Sequence, residues 1–378
     1  LLSIKNIFGE VIHAIDYSSD WYMDTGKKEG GWTLELINPQ TPCLGAENWI
    51  ASNNLNGGTP GRENSVFENI PDESFPDLLT VFPQSNSELL LTFTEGLDFS
   101  TASDILNYTI SPNLSVISAT PLPPLFEQVS LQVGQPIEDG IIYKIKVENN
   151  VADCAGNTIG LNNDLEFALP ADIEPGDLVI NEILFNPEVG GFDFLEIYNL
   201  SGKVLDLSDL LIGRVTSTNT QVFGVENPYL LFPGTIAAFT ADRVDILSRY
   251  NVPNPGALIE TQLPTFPNDE GNVKLYIPGP INPIIVDDLN YDESWHHPLL
   301  DDDEGVSLER IDPSAETDDS NNWQSAAASV GFATPTGMNS QFKNANTSEG
   351  FVSLNPSSFS PNDDGVDDFL QINYSLEE

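Results

Sequence analysis

Short runs in which every second residue is apolar recur along this chain, each closed by Pro, Gly, Asn or Asp. ELLLTFTEGLD, NYTISPNLSVISATP, QVSLQVG and GIIYKIKVENNV follow one another between about Pro71 and Pro170, and GDLVINEILFNP, FDFLEIYN, LFPGTIAAFT and GNVKLYIPG follow between about Asp172 and Gly279. Alternation with period two, punctuated by turn residues, predicts short strands. In FDFLEIYN it sets Phe194, Glu196 and Tyr198 on one face and Leu195 and Ile197 on the other. Only Thr240 to Tyr250 carries helical spacing, with Thr240 placed as the cap and Val244, Leu247 and Tyr250 spaced for one apolar face. The predicted class is all-β, a series of immunoglobulin-like β-sandwich domains.

One stretch occurs twice. Ile15 to Pro39 aligns with Leu289 to Pro313, placing Tyr17 on Tyr291, Trp21 on Trp295 and GWTLELINP on GVSLERIDP. The match continues through Trp49 on Trp323. After a one-residue shift TPGRENSVF falls on TPTGMNSQF, with Thr59, Pro60, Asn64, Ser65 and Phe67 on Thr334, Pro335, Asn339, Ser340 and Phe342. A long strand-patterned stretch precedes the second copy but not the first. The expected organisation is therefore a C-terminal part of a first domain over 1–67, a separate all-β domain over 71–170 and a complete second copy over 172–342. The polar linker KNANTSEG at 343–350 and the start of a further unit over 351–378 follow.

Charge narrows the partners. The 13 lysines and arginines face 58 acidic residues, a formal charge of -45, which disfavours nucleic-acid backbones and anionic membrane surfaces and makes cations the natural counterpart. With 40% hydrophobic and 9% aromatic residues the chain can bury a core, so the acid coats a folded surface rather than marking disorder. No stretch approaches the roughly 20 apolar residues of a membrane helix, and the start LLSIKNIFGE lacks the features of a signal peptide, as expected of a chain that opens inside a domain.

Candidate chemistry is sparse. Asn362, Asp363, Asp364, Asp367 and Asp368 crowd hard oxygen ligands around Gly365, a pattern suited to calcium or, alternatively, an acidic turn that solvates a strand start. Asp301, Asp302, Asp303 and Glu304, with Asp287, Asp288, Asp292 and Glu293 nearby, enclose His296 and His297, which invites a transition-metal reading. The first copy has Lys27, Lys28 and Glu29 in the region of the acid run and Tyr22 and Met23 in place of the histidines. A solvated acidic loop is the expectation there. With three histidines and no G-x-S-x-G, H-E-x-x-H, P-loop or G-x-G-x-x-G, no catalytic residue is assigned. Glu182 and Glu196 are expected to hydrogen-bond within the fold or to lie at a strand edge rather than to act as an acid–base pair. The doubled tryptophans Trp21, Trp49, Trp295 and Trp323 read as packing, which leaves carbohydrate binding a weak possibility. Cys43 and Cys154 are the two cysteines; where Cys43 stands, the second copy has Thr317. Either they form an interdomain disulfide or they are two buried thiols.

GDLVINEILFNP, FDFLEIYNLSGKVLDLSDLLIG, YDESW, GVSLERIDP, NNW and ATPTGMNS together resemble a bacterial lamin-tail domain, over 172–342 and, as a tail, over 1–67. LLLTFTEGLDFSTASDILNYTI and YKIKVENNVADCAGNTI resemble the Ig-like modules of S-layer and other bacterial surface proteins. NPSSFSPNDDGVDDFLQINYSL is similar to the opening of an Ig-like domain related to the flagellar hook scaffold, often followed in Bacteroidetes by a type IX sorting signal. These resemblances imply a non-enzymatic structural, adhesive or interaction scaffold, secreted or on the outer surface of a Gram-negative bacterium, with an envelope or outer-membrane assembly as partner. The alternative is a set of accessory modules of a secreted hydrolase whose catalytic domain lies elsewhere.

Overall fold

The computed structural model describes residues 1–9, 11–42, 44–215, 220–300, 302–343, 351–355 and 371–375. The chain forms two units. Leu1–Asp172 with Lys203–Leu207 and Asn227–Phe232 make the first, and Ile173–Gly202, Ser208–Glu226 and Pro233–Glu378 the second.

In the first unit β1 (Leu2–Lys5) and β2 (Val11–Ile15) form a hairpin, and β3 (Leu34–Leu36) pairs antiparallel with β4 (Trp49–Ala51). A four-stranded antiparallel sheet follows, ordered β5 (Leu78–Ser85), β6 (Glu88–Phe93), β9 (Gln128–Val133), β8 (Val116–Leu122). A three-stranded sheet runs β11 (Asp164–Phe167), β10 (Tyr143–Val147), β7 (Tyr108–Ser111). Period two explains which side chains meet: Leu89, Leu91 and Phe93, then Val129, Leu131 and Val133, then Tyr143, Ile145 and Val147 all enter one core with Phe167. The Tyr143 ring stacks on Phe167 at 5.5 Å. Two short strands, β14 (Leu205–Asp206) and β17 (Leu230–Leu231), pair with each other, and Leu230 packs on this core.

The second unit holds a six-stranded sheet ordered β19 (Leu258–Glu260), β18 (Ile236–Thr240), β13 (Phe194–Asn199), β12 (Leu178–Leu184), β22 (Leu308–Arg310), β23 (Trp323–Ser325). All its pairs are antiparallel except β18 with β19. A four-stranded sheet runs β16 (Thr220–Gly224), β15 (Leu211–Val215), β20 (Glu270–Ile277), β21 (Ile284–Asp292), and β24 (Phe351–Asn355) pairs with β25 (Gln371–Ser375). β12 is buried at all seven positions because it is central in its sheet and covered on both faces, so it loses the in–out alternation of a half-exposed strand. The molecule is all-β, and among the described residues its helices are short.

The helix expected from Thr240 to Tyr250 is Arg243–Arg249, capped by Asp242, whose side chain accepts from the Asp245 N–H. Thr240 is consumed by β18, between Phe194 and Glu260, and its hydroxyl donates to the Asp193 carbonyl. Starting later turns the helix: Ile246 is the fully buried position and Tyr250 packs beside it, whereas Val244 is exposed. The apolar contact is thus an i, i+4 pair, not the Val244–Leu247–Tyr250 stripe.

Candidate functional site

Three glutamates converge inside the second unit. Glu182 on β12, Glu196 on β13 and Glu309 on β22 are each 0% exposed. A bulge places them. β12 shifts register between Ile180 and Glu182, so Asn181 is an extra residue opposite β13, and Asn181 and Glu182 both reach the same interior. Asn181 Nδ2 donates to Glu196 Oε1 at 2.7 Å and to Asn339 Oδ1 at 2.8 Å. Glu182 accepts from the Ser307 hydroxyl and, at 2.8 Å, from the Thr334 N–H. Glu196 Oε2 accepts from the Thr336 N–H at 2.7 Å. Glu309 accepts from the hydroxyls of Thr334 and Ser340, both at 2.7 Å, and from the Gln341 N–H at 2.9 Å.

Burial, and then the charge of Glu309, pushes Glu182 above the ordinary carboxylate range; burial, then the charge of Glu182, pushes Glu196 well above it. The geometry agrees. The Thr334 oxygen lies 2.7 Å from Glu309 Oε1 and 3.1 Å from Glu182 Oε2, yet a hydroxyl has one proton to give. With Thr334 donating over the shorter distance, to Glu309, a protonated Glu182 would complete the pair by donating back to the Thr334 oxygen. The glutamates and their donors clasp residues 334–341 to the sheet, where Phe332 and Thr336 adopt the left-handed φ of 69° and 64°.

The first copy repeats the part of this clasp that Glu309 makes, with the N–H donor supplied by Ser65 rather than by the residue after it. Glu35 on β3 is buried and accepts from the Thr59 hydroxyl at 2.6 Å and from the Ser65 hydroxyl and N–H, both at 2.7 Å. Asn64 Nδ2 donates to the Leu36 carbonyl at 2.9 Å, as Asn339 does to that of Arg310. Asn48 and Asn322 bracket Asn38 and Asp312 in the same way. Gly57 and Gly61, aligned with Phe332 and Thr336, have φ of 83° and 71°. Gly57 is needed twice over, since a Cβ there would also lie 2.0 Å from the Gly31 carbonyl oxygen. Burial raises the Glu35 carboxyl, but its hydroxyl and N–H donors outweigh that and hold it below the usual range.

No family model matches the chain. No curated protein matches it either. Among solved structures it is similar to the N-terminal part of the bacterial S-layer protein SbsC, at 13% identity over 58% of this chain and 44% of that one, with a TM-score of 0.23. It is also similar to a DUF4876 family protein from Bacteroides thetaiotaomicron, at 13% identity over 54% of this chain and 83% of that one, with a TM-score of 0.25. This chain thus spans less than half of the SbsC fragment. Likenesses this distant carry no argument, and the all-β class rests on the strands themselves.

Of the acid run, Asp302 and Glu304 are exposed and Asp303 is half-buried, as a solvated loop would have them, whereas the nearby Asp287 and Asp288 belong to β21. Asp287 is largely buried, accepting from the Ile180 N–H at 2.7 Å and the Thr317 hydroxyl at 2.6 Å, with Arg310 Nη1 3.7 Å away. Asp288 pairs with Lys274. His296 is buried against the Phe185 ring, its Nδ1 2.9 Å from the Ser325 hydroxyl, and burial lowers its pKa. Its Nε2 stands 4.0 Å from Asp303. Trp323, 3% exposed, donates to the Thr317 carbonyl at 2.7 Å and so belongs to the core. Asp301 and the candidate calcium ligands Asn362, Asp363, Asp364, Asp367 and Asp368 lie outside the described residues.

A cluster the sequence reading passed over sits in the first unit. Carboxylate oxygens of Asp72, Glu95 and Asp153 lie within 4.8 Å of one another, a spacing that can hold a divalent cation. Asp153 already accepts from the N–H groups of Ala155, Gly156 and Asn157. Glu95 lines a cleft of 660 Å³ together with Trp21, Trp49, Phe75 and Cys154. Burial, then the charges of Asp153 and Asp72, push Glu95 up to about 7. For a carboxyl raised in the native state, the stabilising contribution is complete below the ordinary value of 4.5 and is lost as pH rises through about 7. Glu95→Gln is therefore expected to raise first-unit stability at pH 8 by about 1–2 kcal/mol, discounted because the group is only half-buried, and to change little at pH 4. Denaturant titrations at the two pH values check this, and a variant less stable at pH 8 contradicts it.

Proposed function

We propose that this chain is a non-enzymatic scaffold at the outer surface of a Gram-negative bacterium, its lamin-tail-like and Ig-like modules acting as spacers and adhesive or protein-interaction surfaces for an envelope assembly. One observation carries the reading. The side chains best suited to acid–base chemistry, Glu182, Glu196 and Glu309, are sealed from solvent and used as a clasp. The first copy uses Glu35 for the same purpose. Carboxylates spent on holding loops to strands serve architecture rather than turnover.

Cross-linking on intact cells followed by purification tests the reading. Recovery of the chain with envelope proteins, and its removal by protease added outside the cells, are expected; a chain protected from external protease and recovered without envelope partners contradicts it.

Within that array we propose that Cys43 and Cys154 join. Cys154 is disulfide-bonded, and Cys43 lies outside the described residues. Non-reducing peptide mapping is expected to return one linked pair of peptides, and reduction to cost the first unit about 2–4 kcal/mol. Two free thiols in the native chain would refute the pairing.

A further inference from the structure

We infer that His296 and Asp303 in the second unit bind one divalent transition-metal ion of the zinc class, held by the imidazole Nε2 and one carboxylate oxygen, with water in the remaining positions. His296 is 8% exposed, and its Nε2, itself buried, makes no hydrogen bond among the described residues. Buried ring nitrogens are ordinarily paired. This one faces Asp303 Oδ2 at 4.0 Å, too far for a hydrogen bond.

In the first copy the protein alone satisfies this position. Tyr22 aligns with His296, and its hydroxyl donates to the Trp32 carbonyl at 3.0 Å. The second copy places an imidazole there instead and fixes it from behind. Ser325 Oγ lies 2.9 Å from His296 Nδ1 and accepts from the His297 N–H at 2.8 Å, and the Phe185 ring packs on the imidazole at 5.6 Å. With Nδ1–H donating to Ser325, that hydroxyl oxygen has both lone pairs in use, and the Nε2 lone pair is left facing Asp303. An outer partner on one ring nitrogen is what orients the other toward a metal.

Asp303 is positioned in turn. It is half-buried, its Oδ1 accepts from Asn186 Nδ2 at 3.3 Å, and its carbonyl accepts from the Val306 N–H at 3.0 Å. Zinc bonds of about 2.1 Å at a tetrahedral angle place two ligand atoms roughly 3.4 Å apart, so the gap closes with a small shift of one carboxylate. Calcium and magnesium take oxygen shells. The imidazole therefore selects a softer ion from among the cations that the acid surface attracts. His297 takes no part, being exposed with its Nδ1 accepting from the Leu299 N–H at 3.2 Å. A bound ion ties the loop carrying Asp303 to β23, which carries Ser325.

The test is a calorimetric titration of the full, untagged chain with zinc chloride in excess calcium chloride, with the histidine ring nitrogens followed by NMR. Saturable uptake of one zinc per chain is expected, with the Nε2 resonance of His296 shifted. Asp303→Asn is expected to weaken uptake at least about tenfold, and His297→Ala to leave it unchanged. Asp303→Asn alters a half-buried loop residue, so it reads the site even where the buried His296→Ala fails to fold. Absence of saturable uptake overturns the inference and leaves a water-filled gap between the two groups. Uptake indifferent to Asp303→Asn, uptake lost to calcium, or a shift at His13 or His297 in place of His296 overturns it too, and assigns the zinc to the general acid surface or to an exposed ring.

Discussion

Arg310→Ala is expected to destabilise the second unit by about 3–5 kcal/mol, the range for removing one partner of a buried charged network. Arg310 is 1% exposed. Its guanidinium donates to the Ile180 carbonyl at 2.9 Å, to the Thr317 hydroxyl at 2.8 Å, and to the carbonyls of Asp312 and Ala315. Alanine abandons those acceptors together, leaves Asp287 without its nearby cation, and opens a cavity where a long side chain was. The first copy has Leu36 at this position, so the loss is specific to the second unit. Because the chain has two units, the measurement is the shift of the second unit's own denaturant transition, read by hydrogen exchange at β12 and β22. A shift below about 1 kcal/mol would mean that water reaches these acceptors.

Glu196→Ala is expected to cost the same unit about 3 kcal/mol, because it strands the Asn181 amide and the Thr336 N–H in a sealed interior. Glu196→Gln is expected to behave differently. Glu182 is raised by burial first and by the charge of Glu309 second, and Glu196 by burial first and by the charge of Glu182 second, so the native state holds protons that the unfolded chain releases above about pH 4.5. Their contribution is complete below that value and is lost as pH climbs from the mildly acidic into the alkaline range, by up to about 1.4 kcal/mol per pH unit for each proton held. The parent's second unit should thus weaken toward alkaline pH. The glutamine variant should show a shallower slope and overtake the parent there, and parallel slopes would contradict the protonated clasp.

What could be read from the chain beforehand was whatever repeats or alternates. The strand LLLTF was legible because period-two burial is local, INEIL and FLEIY, buried on both faces, were legible as short apolar runs between turn residues, and the copy at 15–67 was legible because it could be aligned. The clasp was half-legible. Glu182 and Glu196 stood out on their strands, but Glu309 did not, although Glu35, Thr59 and Ser65 recur as Glu309, Thr334 and Ser340, and that shared set was the signal available. The bulge at Asn181 was not legible, since a one-residue register shift shows only once β13 is beside β12. Thr240 was misread as a cap because a strand end and a helix start favour the same residue, and Asp242 won on geometry. Asp72, Glu95 and Asp153 come from segments far apart in the chain and meet only through folding. Arg310 looked like one more strand residue in SLER, and its partners Ile180, Thr317 and Asp287 are supplied by three other segments.

The most direct test of the scaffold reading is retention of the Glu182→Gln, Glu196→Gln double variant on native cell-envelope material, compared with the parent chain at equal folded concentration. The expected result is equal retention, because these carboxylates hold loop to strand and amides can do the same. A folded double variant that no longer binds the envelope would contradict it, and would make the buried glutamates part of the function rather than of the frame.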